Sequence, residues 1–357
     1  MEENEFLISS NDLSVNFCRF FSIFFAGYIL VKFLSNEIRA DGLDVIVHKN
    51  KCDQSNRCKI SKLETDLTDK IKIAILKNVT ENQLLFGNGS DEVLDLLFRA
   101  FCEPNKDAVI TFPPTYGMYG VLAAINSVQV HEIPLTTSFN IDIEGYRKKQ
   151  YSKAKILFIC SPNNPSGNLM DSMHVEEILQ TFDGLVVVDE AYIDFTESQS
   201  WSNRLLEFPN LVVIQTLSKA YGLAGIRLGM LMASDQIISI LQKIKPPYNV
   251  NELTQLKALE RLAQKERIQK EVREIIVERK RLENALKLMP FVKEIFPSEA
   301  NFVLVRVDQA DQSYAQLLDQ GIVVRNRSKQ LHCENTLRFT IGTPNENNTL
   351  IETLNKL

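Results

Sequence analysis

Four short apolar runs constrain this chain more than anything else in it: Ala108-Val109-Ile110-Thr111, Ile156-Leu157-Phe158-Ile159, Leu185-Val186-Val187-Val188 and Leu211-Val212-Val213-Ile214. They lack the polar alternation of a strand with one wet face, and amphipathic helical stretches separate them. They therefore predict a mostly parallel sheet, covered by helices on both sides. Each run leads into polar or turn-forming residues: Pro113-Pro114-Thr115-Tyr116, Ser161-Pro162-Asn163-Asn164-Pro165, Asp189-Glu190-Ala191-Tyr192 and Ser218-Lys219. In an open α/β sheet ligands sit beyond the carboxyl ends of the strands, so these four ends predict one site.

The residue types gathered there suggest a chemistry. Lys219 is a nucleophile only when unprotonated, and a desolvated, cation-flanked setting lowers a lysine towards neutrality. Gly87-Asn88-Gly89-Ser90-Asp91-Glu92 precedes the helical pattern Val93, Leu94, Leu96, Leu97, Phe98, Phe101. Ser90 or Asp91 is expected to cap that helix, whose free N–H groups favour an anion. Ser218 and Arg227 would add a hydroxyl and a guanidinium fork around one phosphate. Asp189 ends a fully apolar strand, where an unpaired carboxylate is costly. Opposite a pyridinium N–H it would keep that nitrogen protonated, which is what makes pyridoxal 5'-phosphate an electron sink. Tyr192 and Asn164 could bond such a cofactor's phenolic oxygen, and Tyr116 could stack on its ring. Each has a plainer alternative: a cap for Asp189, a core ring for Tyr192, a turn residue for Asn164. Jointly they fit one cofactor.

The same motifs, in the same order, resemble the fold-type I pyridoxal-phosphate aminotransferases, most closely the histidinol-phosphate aminotransferase family. The resemblance rests on Phe86 to Glu92, Pro113 to Tyr119, Ser161 to Asn168, Val188 to Tyr192, Thr216 to Gly229, Lys245 to Asn249, Pro297 to Phe302, Gly321 to Arg325 and Leu337 to Pro344, and covers roughly residues 66 to 357. It implies a large domain with a mostly parallel seven-stranded sheet covered by helices, over residues 66–265, and a smaller α/β domain over 266–357. It implies Lys219 as the Schiff-base lysine, Asp189 as partner of the pyridine nitrogen, and Tyr192 and Asn164 at the phenolic oxygen. Tyr116 would stack, and Ser90, Asp91, Thr216, Ser218 and Arg227 would surround the phosphate. Arg325 and Arg338 match the family's substrate arginines; Asn249 reads as a supporting residue. The implied reaction is ping-pong amino transfer between L-histidinol phosphate or imidazole-acetol phosphate and 2-oxoglutarate or glutamate, by a homodimer, in histidine biosynthesis.

Residues 1–65 depart from this pattern. Where the family carries Asn-Arg-Tyr-Pro, this chain reads Asn56-Arg57-Cys58-Lys59, and Phe20 to Val31 is strongly apolar yet too short to span a bilayer. An altered arm, an unstructured one and a shifted reading frame upstream of Leu63 all stay open. So do two other activities: a related lyase such as a threonine-phosphate decarboxylase, and an inactive cofactor-binding remnant. A formal net charge of -5 without a basic stripe argues against nucleic acid. Six scattered cysteines suit a reducing, cytoplasmic compartment, and Cys52 and Cys58 have no second pair at zinc spacing.

Overall fold

The computed structural model describes residues 38–40, 43–45, 65–148, 151 and 153–356. The departures expected at Phe20 to Val31 and Asn56 to Cys58 lie outside them. Two compact units divide at residue 63. In the first, Ile38–Ala40 (β1) pairs antiparallel with Leu43–Val45 (β2).

The second unit, residues 64–357, contains two sheets. It opens with helix Thr65–Leu76 (α1), strand Leu84–Asn88 (β3), helix Ser90–Phe101 (α2) and strand Ala108–Thr111 (β4). Helix Met118–Ile125 (α3), strand Gln129–Glu132 (β5), helix Ile143–Arg147 (α4) and strand Ala154–Cys160 (β6) follow. Then come helix Ser172–Thr181 (α5), strands Leu185–Asp189 (β7), Leu211–Thr216 (β8) and Leu228–Ala233 (β9), and helix Asp235–Ile244 (α6). The large sheet has the order β3-β9-β8-β7-β6-β4-β5. From β8 to β5 every pairing is parallel; β9 is antiparallel to both β8 and β3. Six strands thus point the same way and β9 alone runs against them.

Both faces of this sheet are buried, as continuous apolar runs require. Val186, Val188, Leu211 and Val213 pack on one side with Val175 and Ile178 of α5. Their alternates Val187, Val212 and Ile214 pack on the other with Leu94 and Phe98 of α2, Tyr119 and Leu122 of α3, and Ile238 and Leu241 of α6.

The C-terminal part adds helices Glu252–Leu262 (α7) and Lys265–Leu286 (α8), strands Val292–Ile295 (β10) and Phe302–Val307 (β11), and helix Ala310–Asp319 (α9). Strands Arg325–Asn326 (β12) and Thr336–Thr340 (β13) and helix Pro344–Leu354 (α10) complete it. The antiparallel order is β10-β11-β13-β12, with Leu282, Leu286, Leu317 and Leu350 packed on Val303, Val305, Leu337 and Phe339.

The sequence pattern predicts one long charged connecting helix over 252–288 with a solvated face, and a strand at Ile322-Val323-Val324; these three local expectations change. The helical pattern at 252–288 is two helices, interrupted at Gln264, whose ψ of 41 leaves the helical region. Its charged face is not wholly solvated either: Arg279 is buried and donates to Ala300 O at 2.7 Å, and Glu278 is buried against Asn347. Ile322-Val323-Val324 is not a strand. Ile322 N–H bonds back to Leu317 O at 2.9 Å, so that residue closes α9, and pairing starts only at Arg325.

Candidate active site

Because six strands of the large sheet run one way, their carboxyl ends share an edge, and the amino end of β9 arrives at the same edge. One cavity opens there, and all ten residues expected to surround the cofactor line it: Ser90, Asp91, Tyr116, Asn164, Asp189, Tyr192, Thr216, Ser218, Lys219 and Arg227. Cys160, Ala191 and Ala224 complete the wall. Cys160 ends β6 directly beside Asp189, so the strand pattern alone would have placed it there.

The anion end is built by pairing. In the register of β3 and β9, Gly87 faces Gly229 and Asn88 faces Leu228, and Gly89 N–H then donates to Arg227 O at 2.9 Å. Gly89 has φ +78, and a Cβ there would overlap Arg227 Nη2. Glycine alone lets the guanidinium lie against the turn. Neither Ser90 nor Asp91 caps α2, contrary to expectation: Gly89 is the N-cap and no side chain bonds the first turn. Asp91 instead accepts from Tyr116 Oη at 2.9 Å and lies 3.6 Å from Arg227 Nη2. Among the described residues no side chain caps this first turn, so its N–H groups can meet an anion. Thr216 Oγ1 and Ser218 Oγ, 2.9 Å apart, supply hydroxyls, and Arg227 itself is held at φ 56 in the left-handed region. Asn249 lies behind this end, its Nδ2 donating to Phe86 O at 3.1 Å and Glu92 Oε2 at 2.8 Å.

Gly89→Ala is expected to weaken cofactor binding about tenfold or more, since strain at a positive-φ residue costs about 1–3 kcal/mol before the guanidinium is displaced. Equilibrium dialysis with pyridoxal phosphate measures it. An unchanged dissociation constant would remove the turn from the anion site.

Asp189, also in the cavity wall, is buried, with 2% exposure. Its Oδ1 accepts from Ala191 N–H at 3.2 Å and its Oδ2 from Tyr119 Oη at 2.8 Å. Burial pushes its carboxyl up to about 6, against the pull of these two donors. Lys219 Nζ lies 5.4 Å from the centre of the Tyr192 ring. Exclusion of water by the surrounding protein, and then the nearby Arg338 charge, lower its amine below the usual lysine value. Burial raises the Tyr192 phenol to about 12, with Arg338 acting in the opposite sense.

Arg338 donates from Nη1 to Asn164 Oδ1 at 2.6 Å and packs 4.5 Å from the Phe302 ring centre, which ties β13 to the cavity. Arg325 faces it directly across β12 and β13. Arg327, which the sequence reading missed, belongs with them: its charge acts on Tyr192 and Arg338, and its Nε, like that of Arg338, is buried without a partner among the described residues. Arg327 lies one residue beyond the strand Arg325–Asn326, and its place two residues after Arg325 was the available signal.

This donor set fits pyridoxal phosphate: one cavity is lined by a glycine-floored turn at a helix start with an arginine against it, a buried carboxylate and a lysine of lowered pKa.

The sequence model of aminotransferase class I and II matches residues 29–354. The chain belongs to this family. The match begins well before residue 66, so family likeness reaches further upstream than the motifs suggested. The aminotransferase is 56% identical over 288 residues to a histidinol-phosphate aminotransferase of Flavobacterium johnsoniae, covering 81% of this chain and 82% of that one. Among solved structures it resembles the histidinol-phosphate aminotransferase from Clostridium acetobutylicum, with TM-score 0.76 and 24% identity over 82% of this chain and 89% of that one. It also resembles the Sinorhizobium meliloti histidinol-phosphate aminotransferase in complex with pyridoxal-5'-phosphate, with TM-score 0.74 and 21% identity over 82% and 81% of the two chains. The family fold is thus the fold-type I architecture expected, and its enzymes work with pyridoxal phosphate.

Proposed function

We propose that this chain catalyses reversible amino transfer between L-histidinol phosphate and 2-oxoglutarate, using pyridoxal phosphate. The observation that carries the substrate is the 56% identity to a histidinol-phosphate aminotransferase over four fifths of both chains. Arg338, which does not line the cavity but bonds its wall residue Asn164, agrees with it, because both substrates are anions and a guanidinium fork binds phosphate and carboxylate alike.

The Ser90 and Asp91 backbone N–H groups, the Thr216 and Ser218 hydroxyls and Arg227 would hold the cofactor phosphate. Asp189 would hold the proton on the ring nitrogen, with Asn164 and Tyr192 at the ring oxygen and Tyr116 against the ring. When bound, pyridoxal phosphate supplies a ring that accepts the electron pair left by a departing α-proton. Lys219 Nζ, anchoring amine in the resting enzyme, would take that proton and pass it on; its lowered pKa favours the neutral base. Arg325 and Arg338 would grip substrate anions and fix which bond faces the base.

We also read residues 66–265 as the cofactor-holding domain and 266–357 as the smaller one, the boundary falling where α8 begins at Lys265. We propose a homodimer in the cytoplasm, as the resemblance implies. Among the described residues no helix is long and apolar enough to cross a membrane, which is compatible with that location.

Loaded with pyridoxal phosphate and given L-histidinol phosphate and 2-oxoglutarate, the purified chain is expected to release glutamate. Carbon dioxide from threonine phosphate, without glutamate, would instead establish a lyase. Neither product would leave the inactive remnant.

A further inference from the structure

We propose that Tyr119 is a positioning residue for the cofactor site: its buried phenol holds the Asp189 carboxylate oriented and ionised for a protonated ring nitrogen. The inference rests on the assignment of pyridoxal phosphate to this cavity and concerns a residue that does not line it.

The geometry carries the argument. Tyr119 is 0% exposed and sits in the first turn of α3, three residues after Tyr116, whose ring meets it edge-on at 5.6 Å. Its own ring stacks on Phe158 of β6 at 4.8 Å and 11°. The phenol donates to Asp189 Oδ2 at 2.8 Å. Ala191 N–H occupies the other oxygen. Each oxygen thus has one donor from the protein, and the carboxylate retains acceptor capacity towards the cavity. A single turn, Tyr116 to Tyr119, therefore delivers one aromatic ring to the cavity wall and one hydroxyl to the carboxylate behind it.

Several titratable groups face Asp189. Asp91 of α2 raises its pKa and Lys219, beyond β8, lowers it. Cys160 of β6 has its thiol pushed far up by burial, and the Tyr116 and Tyr192 phenols are also raised, so all three stay neutral around pH 6. Within this set the Tyr119 hydrogen bond is the largest influence that favours the ionised carboxylate. The sign of the stability effect follows. A carboxyl raised from 3.8 to about 6 favours the cofactor-free fold most when protonated, at low pH. That contribution is lost as pH rises through about 6, and removing the phenol moves its upper limit higher.

Tyr119→Phe keeps the stacked ring and deletes only the donor. Two pH profiles test it, from about pH 5 to about pH 8. In the cofactor-free protein, isotope-edited infrared spectroscopy follows the carboxyl, with Asp189→Asn identifying its band. In the loaded protein, equilibrium dialysis gives the dissociation constant for pyridoxal phosphate. The variant is expected to titrate about one unit higher and to bind about tenfold more weakly below its shifted midpoint, the effect of one charge-assisted hydrogen bond. Phe158→Leu loosens the same packing while keeping the hydroxyl, and is expected to lower the melting temperature with a wild-type midpoint. An unshifted midpoint in Tyr119→Phe, or an equal shift in Phe158→Leu, overturns the proposal. Failure of the wild-type protein to retain pyridoxal phosphate would overturn the cofactor assignment instead, and the infrared profile would still decide whether Tyr119 sets the carboxyl.

Discussion

Lys219→Ala is expected to reduce amino transfer by at least about 10³-fold, within the range lost when a positioned general base is removed. The expectation is larger than for any neighbour because one amine would serve twice, first as the anchor of the cofactor and then as the base at the α-carbon. Its setting prepares it for both. Surrounding protein and the Arg338 charge disfavour the ammonium form, so the neutral amine is reached at a lower pH than for a solvated lysine. The proposed phosphate cradle of Gly89, Ser90, Thr216, Ser218 and Arg227 is untouched by the substitution. The variant should therefore still retain pyridoxal phosphate non-covalently, while borohydride no longer fixes it to the chain. Mass spectrometry of the reduced protein and a glutamate-release assay check the two halves. Retained turnover would remove Lys219 from the reaction.

Arg338→Ala is expected to lower kcat/KM for the phosphorylated substrate by about 10²-fold or more, since truncating one member of a buried charged pair costs about 2–5 kcal/mol. Arg338 bridges the two sheets of residues 64–357: it starts on β13, lies over Phe302 of β11, and reaches Asn164 in the loop after β6. Its removal would take away a proposed anion contact and also free Asn164, a residue proposed to touch the cofactor. Arg338→Lys should not rescue activity, because an ammonium lacks the planar fork and packs less well on a ring. Steady-state kinetics with each substrate varied in turn measures the loss. Wild-type kcat/KM in the alanine variant would place substrate recognition elsewhere.

Much of the site was legible because chemistry at the end of a parallel strand leaves a local signature. An apolar run followed at once by Asp189 or Ser218-Lys219 needs no tertiary information to stand out. What was not legible depends on register. Nothing in Leu84–Asn88 or Leu228–Ala233 announces that the two strands pair, since Gly87, Asn88 and Gly229 weaken the strand pattern of both. Yet that pairing sets Gly89 beside Arg227. The bond from Tyr119 to Asp189 is equally silent: an aromatic residue at the start of an apolar helix reads as core, and Tyr119 is also core. The misplaced strand at Ile322-Val323-Val324 shows a β-branched run used to close a helix, a choice made by Gly321 at φ +75 and the bond back to Leu317. Ser90 and Asp91 were placed correctly at the helix start but not in the capping role, because Tyr116 and Arg227, brought there by the fold, take the Asp91 carboxylate.

The antiparallel strand β9 has a consequence for how this protein is made. Synthesis delivers β3 first and β9 last among the strands of the large sheet, and the two lie side by side only when the sheet is complete. Until then Gly89 has no Arg227 carbonyl to bond, and the anion turn lacks its guanidinium. A nascent chain that has emerged only through β8 carries neither Lys219 nor Arg227, and Lys219 then emerges eight residues ahead of the arginine that would complete the proposed phosphate cradle. If the proposed cradle holds the cofactor phosphate, its capture would wait for completion of the sheet, and because binding stabilises only the state that binds, the cofactor would favour fully assembled chains over partly assembled ones.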